Sequence, residues 1–590
     1  MRKFSVLLTA LLLIGVSAVF GQERSISGKV LDSESGEPLV GVSISVVGAD
    51  TGTSTDENGD FTVTLPDGFT KLRVEQTSYK TQEVTAAEGM VIRLVLSSTV
   101  LSEAEIEVSF NTKKGKGYVG SAQTVQQETI EKKSPSDITK ALAGEFSGVR
   151  IATNTGQPGV ESKVRIRGIA SLNAGGDALY VVDGIPYGGD VSSIDPNDIV
   201  STTVLKDATA TAMYGARGAN GVILITTKKG TAGSEGKIEV DLQTGINFRL
   251  LPMHDRITTP EEYMEAGWLG LANYFYMNSS TPNYDVAKQQ ATDNLWNMGG
   301  QNEVSGLPIE YNIWTQNDVI DPKTGKIRSG LGRKYSPESW QDHIFRIGKK
   351  YSAGVKISGG SDKTTYFTSI NYLNDEGYYI RSKYNRLTAT TNLDYSPKKW
   401  LTANFKAMYA YSTMNSVGQG NNANNGFNFV YYVPPIYPVF RHNPADGSLY
   451  KDEYIGGYQY DYGRETDRPF SGGINPAGAL QLDKNLNQIH NLALSNFLKF
   501  EFIKDLVITI TNGYNFNFQQ LSEITNKFYG DGQGIGYVEK YDIMFTDFTS
   551  RQQIAYKKTL AEIHNLDAMF GHDFRTLERK ELYAYRAGLV

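Results

Sequence analysis

The sequence predicts a mainly β chain whose larger part is the antiparallel wall of a transmembrane β-barrel. The first sign is a pair of alternating segments. From Arg386 to Tyr395, Leu387, Ala389, Thr391, Leu393 and Tyr395 make a largely apolar face, and Arg386, Thr388, Thr390, Asn392 and Asp394 make a polar one. After Ser396-Pro397-Lys398-Lys399, the series Leu401, Ala403, Phe405, Ala407, Tyr409 and Tyr411 alternates with Thr402, Asn404, Lys406 and Met408. Each run has about ten residues, enough for a tilted strand to cross a bilayer. The second sign is composition: 60 Gly and 35 Tyr in 590 residues suit a turn-rich wall with aromatic girdles. The third is loop asymmetry. Nine candidate strands lie near 236–248, 347–358, 363–374, 385–395, 400–412, 489–502, 506–518, 548–557 and 561–576. Short turns at 359–362, 396–399 and 503–505 alternate with long connections at 375–384, 413–488 and 519–547. A soluble sandwich shares the period-2 pattern, but only a barrel gives a reason for short turns on one rim and long loops on the other.

Residues 1–21 read as a secretory signal. Arg2 and Lys3 precede an apolar run from Phe4 to Val19, and Val19-Phe20-Gly21 is the cleavage site. No other stretch approaches the roughly 18 apolar residues of a membrane helix. The chain has no Cys, which excludes disulfides, thiolate metal sites and a lipidated cysteine. An exported chain of this kind fits the bacterial envelope. The net charge is −6 and Lys and Arg are dispersed, so nucleic acid is not an expected partner.

Residues 22–98 predict a small β-sandwich. Val42, Ile44 and Val46, then Phe61, Val63 and Leu65, then Leu72 and Val74, then Ile92, Leu94 and Leu96 alternate with polar or small residues between turn signals. Asp56, Asn58 and Asp60 predict a hairpin turn, because the spacing of Gly59 is wrong for a calcium loop. Residues 99–120 form a polar linker. Residues 121–230 change to short mixed elements: a helix capped by Ser136 and running to about Phe146, strands at 164–167 and 179–182, a helical turn from Pro196, a helical stretch at 208–214 and a strand at 222–227. Residues 231–590 carry the wall, with insertions at 251–346 and 413–488. In the first insertion, Thr259-Pro260-Glu261-Glu262 is a capping box that starts a short helix.

Four segments carry a family resemblance: Val164-Arg165-Ile166-Arg167-Gly168, the stretch around Val182-Asp183-Gly184, the stretch from Lys206-Asp207 to Tyr214-Gly215, and the run from Gly221 to Gly230. In sequence, order and spacing they resemble the plug of SusC-like (SusC/RagA family) TonB-dependent outer-membrane transporters. Residues 22–98 resemble the carboxypeptidase-regulatory-like domain ahead of that plug, and Ser358-Gly359-Gly360-Ser361 fits the family's barrel. The resemblance implies a carboxypeptidase-regulatory-like β-sandwich at 22–98, a TonB box within 99–120, a mixed α/β plug at 121–230 and the first part of the barrel, with long extracellular loops, at 231–590. It implies TonB-dependent import of a glycan oligosaccharide or peptide across the bacterial outer membrane, gated by the plug. The implied partners are TonB with its ExbB/ExbD energising complex, a SusD-like surface lipoprotein, outer-membrane lipid and the glycan or peptide ligand. The alternative is a surface glycan-binding or adhesion β-protein without energised transport.

Carried over by position, the TonB box falls at Glu103, Ala104, Glu105, Ile106, Glu107 and Val108, where an alternating segment could add to a partner's sheet edge. Ala104 and Glu107 depart from the family's run of valines. Arg165, Arg167, Asp183, Lys206, Asp207 and Arg217 would sit in a polar lumen and are candidates for plug-to-wall ion pairs. Tyr431, Tyr432, Tyr437, Tyr458, Tyr460 and Tyr462 are candidates for contact with sugar rings or peptide side chains.

The six His form no HExxH or HxxE pattern, and there is no P-loop and no G-x-S-x-G elbow. No catalytic, metal or cofactor site is expected, and the chain is not read as an enzyme. Nine strands would leave an open edge in lipid, and plugged barrels of this kind have about 22. The chain is therefore expected to be the N-terminal part of a longer one, with an incomplete barrel. The strand phase makes a prediction. Ala407→Lys on the lipid face is expected to cost roughly 2–4 kcal/mol near the midplane, and Lys406→Ala on the lumen face little. Urea unfolding of the full-length barrel measures both, and equal effects would contradict the phase.

Overall fold

The computed structural model describes residues 24–589 apart from short stretches, of which 95–105, 114–121, 169–175, 207–213, 298–305 and 418–424 are the longest. The predicted signal and most of the predicted 208–214 helix lie outside the described residues. The chain divides into two compact units, residues 1–119 and 120–590.

In the first unit, β1 (Arg24–Asp32), β2 (Ser43–Val46), β3 (Gly52–Ser54), β4 (Asp60–Leu65), β5 (Lys71–Glu75), β6 (Gln82–Thr85) and β7 (Met90–Leu94) form two sheets, ordered β4-β1-β7 and β3-β2-β5-β6. The alternating apolar positions face inward, and Val42, Ile44, Phe61, Val63, Leu72, Val74, Ile92 and Leu94 share one buried core. Asp56 shapes the turn before β4 by accepting from the amides of Asn58 and Asp60, each at 2.9 Å. Farther on, β8 (Ile106–Val108) pairs antiparallel with β9 (Asn111–Lys113).

The second unit opens with an inner domain. It holds β10 (Ala122–Gln126), β11 (Val149–Ala152), β12 (Lys163–Ile166), β13 (Leu179–Val182), β14 (Ile185–Pro186), β15 (Ile199–Leu205) and β16 (Val222–Thr227). Five of these make a sheet in the order β10-β15-β16-β13-β14, and β11 pairs with β12. The helix expected from Ser136 is shorter and starts one residue later. Asp137 is its cap, taking the amide and hydroxyl of Thr139 at 2.8 and 2.6 Å, and the helix is Ile138–Ala141. Ser136 donates instead to Asp375 of the wall.

The wall is one antiparallel nine-stranded sheet in chain order. Its first strand is β17 (Lys237–Asn247); the small hairpin β18 (Ile320–Asp321) and β19 (Lys326–Ile327) lies in the insertion that follows. The sheet continues with β20 (Gly348–Gly360), β21 (Thr364–Glu376), β22 (Lys383–Lys398), β23 (Leu401–Asn415), β24 (Lys484–Ile503), β25 (Leu506–Thr525), β26 (Tyr537–Leu560) and β27 (His564–Ala587). All nine predicted strands are present, but the later ones are longer than expected, and β26 and β27 have 24 residues each. Their ends are held by backbone pairing and by cross-strand side-chain contacts, Tyr541 with Tyr583 (4.5 Å) and Tyr537 with Tyr585 (6.1 Å) at one end and Lys557 with Asp567 (3.3 Å) at the other. The connection expected at 519–547 shrinks accordingly, and the tail through Tyr583 and Tyr585 belongs to β27.

Burial in the wall is the reverse of that in a soluble sheet. Arg386, Thr388, Thr390 and Asn392 are buried, while Leu387 and Leu393 are 42% and 38% exposed. Lys406 is buried and its neighbour Phe405 is exposed. The polar face is covered by the inner domain and the apolar face is bare, as a lipid-facing wall requires.

The two insertions pack together into a third core that includes Trp268, Trp314, Trp340, Phe429 and Ile436. Thr259 Oγ1 accepts from Glu262 N at 3.3 Å as the capping box requires, but the helix it starts, Pro260–Met277, is 18 residues long. Among the described residues no helix is long and apolar enough to cross a membrane.

Candidate functional site: the buried face between inner domain and wall

The inner domain meets the wall through polar side chains that the strand phase points inward, and two buried ion pairs anchor it. The first begins at a turn. Between β13 and β14 the chain reverses on Asp183-Gly184, both at positive φ (46 and 84), as a two-residue type I′ hairpin requires. The turn fixes the Asp183 carboxylate beside β16, where it accepts from Thr227 N (2.9 Å) and Thr227 Oγ1 (2.6 Å). Lys406 of β23 pairs with Asp183 and donates to Thr227 Oγ1 at 2.9 Å. Burial alone would raise the Asp183 carboxyl. Lys406 and the Thr227 bonds outweigh it and hold the group below the ordinary carboxyl range.

The second pair lies on the neighbouring strand. Asp195 caps the 3-10 turn Pro196–Asp198, accepting from Asn197 N at 2.9 Å. Arg386 of β22 donates to Asp195 Oδ2 (3.0 Å) and to the main-chain oxygens of Ser192 (2.6 Å) and Ser136 (2.9 Å). One guanidinium thus ties together two segments distant in sequence, which a planar fork of donors permits. Asp198 accepts from Ser369 Oγ (2.6 Å) and Asn371 Nδ2 (3.4 Å) of β21. Burial, with Asp195 alongside, pushes the Asp198 carboxyl up. Glycine is needed at 513 of β25, because a Cβ there would lie 2.6 Å from Ile185 of the inner domain.

The chain is similar to known proteins. Residues 116–222 match the TonB-dependent Receptor Plug Domain and residues 26–108 match the CarboxypepD_reg-like domain. A TonB-dependent receptor of Formosa agariphila is 27% identical over 93% of this chain and 46% of its own length. The TonB-dependent receptor SusC of Bacteroides thetaiotaomicron is 26% identical over 98% of this chain and 53% of its own. Over nearly its whole length the chain is similar to SusC-like TonB-dependent receptors. It spans about half the length of the relatives it matches. The fold of this SusC-like chain is similar to that of the RagAB peptide importer in its closed-closed state, with a TM-score of 0.60 and 23% identity over 80% of this chain and 49% of that one. The inner domain is the plug, and the nine-stranded sheet is part of the barrel.

Of the six plug charges named from the sequence of this SusC-like receptor, Asp183 stands in the interface. Lys206 is buried within the plug, donating to Gln123 Oε1 and Ser147 O at 2.5 Å each. Arg165 is partly buried on β12, and Arg217 lies in the 3-10 turn Gly215–Gly218. Arg167 and Asp207 lie outside the described residues, as do Glu103, Ala104 and Glu105; Ile106, Glu107 and Val108 form β8. Nothing local in the sequence singles out Asp195, Asp198, Arg386 or Lys406 as partners. The last two are marked in another way, as the cations on the polar faces of the two clearest membrane strands. The expectation that Lys406→Ala costs little is corrected: Lys406 is not a solvated lumen residue but the buried partner of Asp183.

The loop tyrosines divide. Tyr437 is 1% exposed and its carbonyl accepts from Trp340 Nε1 at 2.8 Å, so it belongs to the insertion core. Tyr460 packs on Phe440 beside it. Tyr431 leans on His254, and Tyr432 and Tyr458 are exposed. Tyr462 stacks on Tyr529 (5.5 Å, 11°). It lines a cavity of ≈ 680 Å³ between the loops and the rim of β23 to β25, together with Tyr379, Arg381, Asn485 and Glu523.

Removing one partner of a buried pair costs about 3–5 kcal/mol, whereas replacing both by apolar groups is near neutral. In the full-length receptor, Lys406→Ala is expected to lose that much stability on thermal denaturation in detergent, and Asp183→Asn with Lys406→Met, which keeps a residue suited to positive φ and an acceptor for Thr227, to recover most of it. A Lys406→Ala protein within about 1 kcal/mol of wild type would contradict the pair. The pH dependence follows from the depressed carboxyl. The contribution of Asp183 is complete above the ordinary Asp value near 3.9 and disappears as pH falls through its own lower value.

Proposed function

We propose that the full-length receptor imports a nutrient across the outer membrane, driven through TonB. The observation that carries this reading is the polar contact between plug and barrel. Two buried ion pairs and single hydrogen bonds hold the plug in place, and such contacts can pass to water or to new partners under force without opening the plug's own apolar core. A contact of that kind suits a gate.

The pull enters at residues 103–108. Within the first unit, β8 has β9 as its one strand partner among the described residues, so its other edge can take an added strand from TonB. ExbB/ExbD energise TonB, and a SusD-like lipoprotein covers the loop side. The cargo is a glycan oligosaccharide or a peptide. The cavity under the loops offers tyrosine, asparagine and charges of both signs, which suits either, and the structurally similar RagAB is a peptide importer. No chemistry on the cargo is assigned.

Deleting residues 103–108 in the full-length receptor is expected to abolish uptake by cells while leaving surface assembly and ligand binding intact. Undiminished uptake would overturn the assignment of the coupling segment. Binding without any TonB-dependent uptake in the intact receptor would make the protein a surface binder.

A further inference from the structure

The insertion core contains a titratable contact that neither plug docking nor the proposed coupling uses. His442, with a side chain 7% exposed, sits on an arm that folds on itself through bridges Phe440↔Tyr460, His442↔Leu449 and Lys451↔Tyr458. Each ring nitrogen faces an acceptor: Nδ1 lies 2.8 Å from Gly447 O and Nε2 lies 2.9 Å from Glu338 Oε1. A main-chain carbonyl can only accept. Glu338 is committed to accepting as well, because its Oε2 takes the amides of Val439 (3.0 Å) and Phe440 (3.4 Å), which favours the carboxylate. A neutral imidazole has one N–H and cannot serve two acceptors. Tyr335 stacks flat on the ring at 3.9 Å and 8°, and an aromatic face so placed favours a cation.

We infer that His442 is held as an imidazolium and that the Glu338–His442 pair is a pH-operated latch, pinning the arm at 439–461 to the segment at 334–344. The arm runs directly into Tyr462, which lines the ≈ 680 Å³ cavity, so the latch sets how firmly that lining is held. The other charged groups nearby are engaged elsewhere. Asp461, on the arm's return, accepts from Tyr311 Oη at 2.9 Å and lies 3.6 Å from Arg468. Lys334 donates to Pro444 O at 2.6 Å, and Arg441 donates to Gln459 at 3.1 Å. His343 stands edge-on to Phe440.

Burial would lower the His442 pKa, but the bonds to Glu338 and Gly447 outweigh it and raise the group above its ordinary value. Burial would raise Glu338, and the bond from His442 leads the contacts that hold it low instead. A raised histidine gives a contribution that is complete below the ordinary value near 6.5 and lost as pH rises through the folded value. A depressed glutamate gives one that is lost only at acid pH, below about 4.3. The latch is therefore closed between these limits.

The test uses the full-length receptor in detergent. Nitrogen-15 spectra of the histidine rings at pH 7 are expected to show both His442 nitrogens protonated. Hydrogen-exchange protection of residues 439–461, corrected for intrinsic rates, is expected to fall about tenfold or more as pH rises from 6 to 10. His442→Gln should remove that pH dependence while leaving plug protection unchanged, and Glu338→Gln should return the His442 titration toward its ordinary value. A neutral His442 ring at pH 7 would overturn the latch. So would a pH profile shared by wild type and His442→Gln, or a His442 titration unmoved in Glu338→Gln.

Discussion

Arg386 and Lys406 stand on membrane strands whose opposite face is bare for lipid, so their charges can be met only from inside the barrel. An unpaired buried charge is expensive enough that the inside must supply partners. The plug supplies Asp195 and Asp183, each positioned by local backbone geometry rather than by packing. Asp195 is placed by a capped 3-10 turn and Asp183 by a two-residue hairpin turn. The wall's charges and the plug's turns therefore specify each other, and the register of the plug in the barrel follows from that match.

This arrangement separates two kinds of stability. Three apolar cores, in the sandwich, the plug and the joined insertions, keep each body folded. The contact between plug and barrel is mostly polar. Apolar cores resist any partial opening, because exposed carbon surface gains nothing from water. Ion pairs and hydrogen bonds lose much less, because water replaces each partner. A plug attached in this second way can be shifted as a unit. That is the physical content of the proposed gate.

The strand phases were legible because a wall with lipid on one side and protein on the other forces strict alternation, and Leu387 beside Arg386 shows it in two residues. Strand length was not legible. The ends of β26 and β27 are fixed by backbone pairing and by cross-strand partners such as Tyr541 with Tyr583, which the pattern of one strand alone does not show. Ser136 and Asp137 are adjacent and equally good caps by type, and the choice between them depends on Asp375, far along the chain. The pairing of Asp183 with Lys406 spans 223 residues and leaves no local trace. Tyrosine-rich loops announced an aromatic cluster, but composition cannot separate a core tyrosine such as Tyr437 from one at a cavity such as Tyr462.

The most direct test of the account is a double-mutant cycle across Asp195 and Arg386 in the full-length receptor. Stability would be read from hydrogen exchange of the plug segment at 190–199 for wild type, Asp195→Asn, Arg386→Gln and the double variant. If the buried pair fixes the plug to the wall, the two effects should be non-additive by about 1–3 kcal/mol. Effects that add within about 0.5 kcal/mol would mean that the plug is held by something other than the charges facing it.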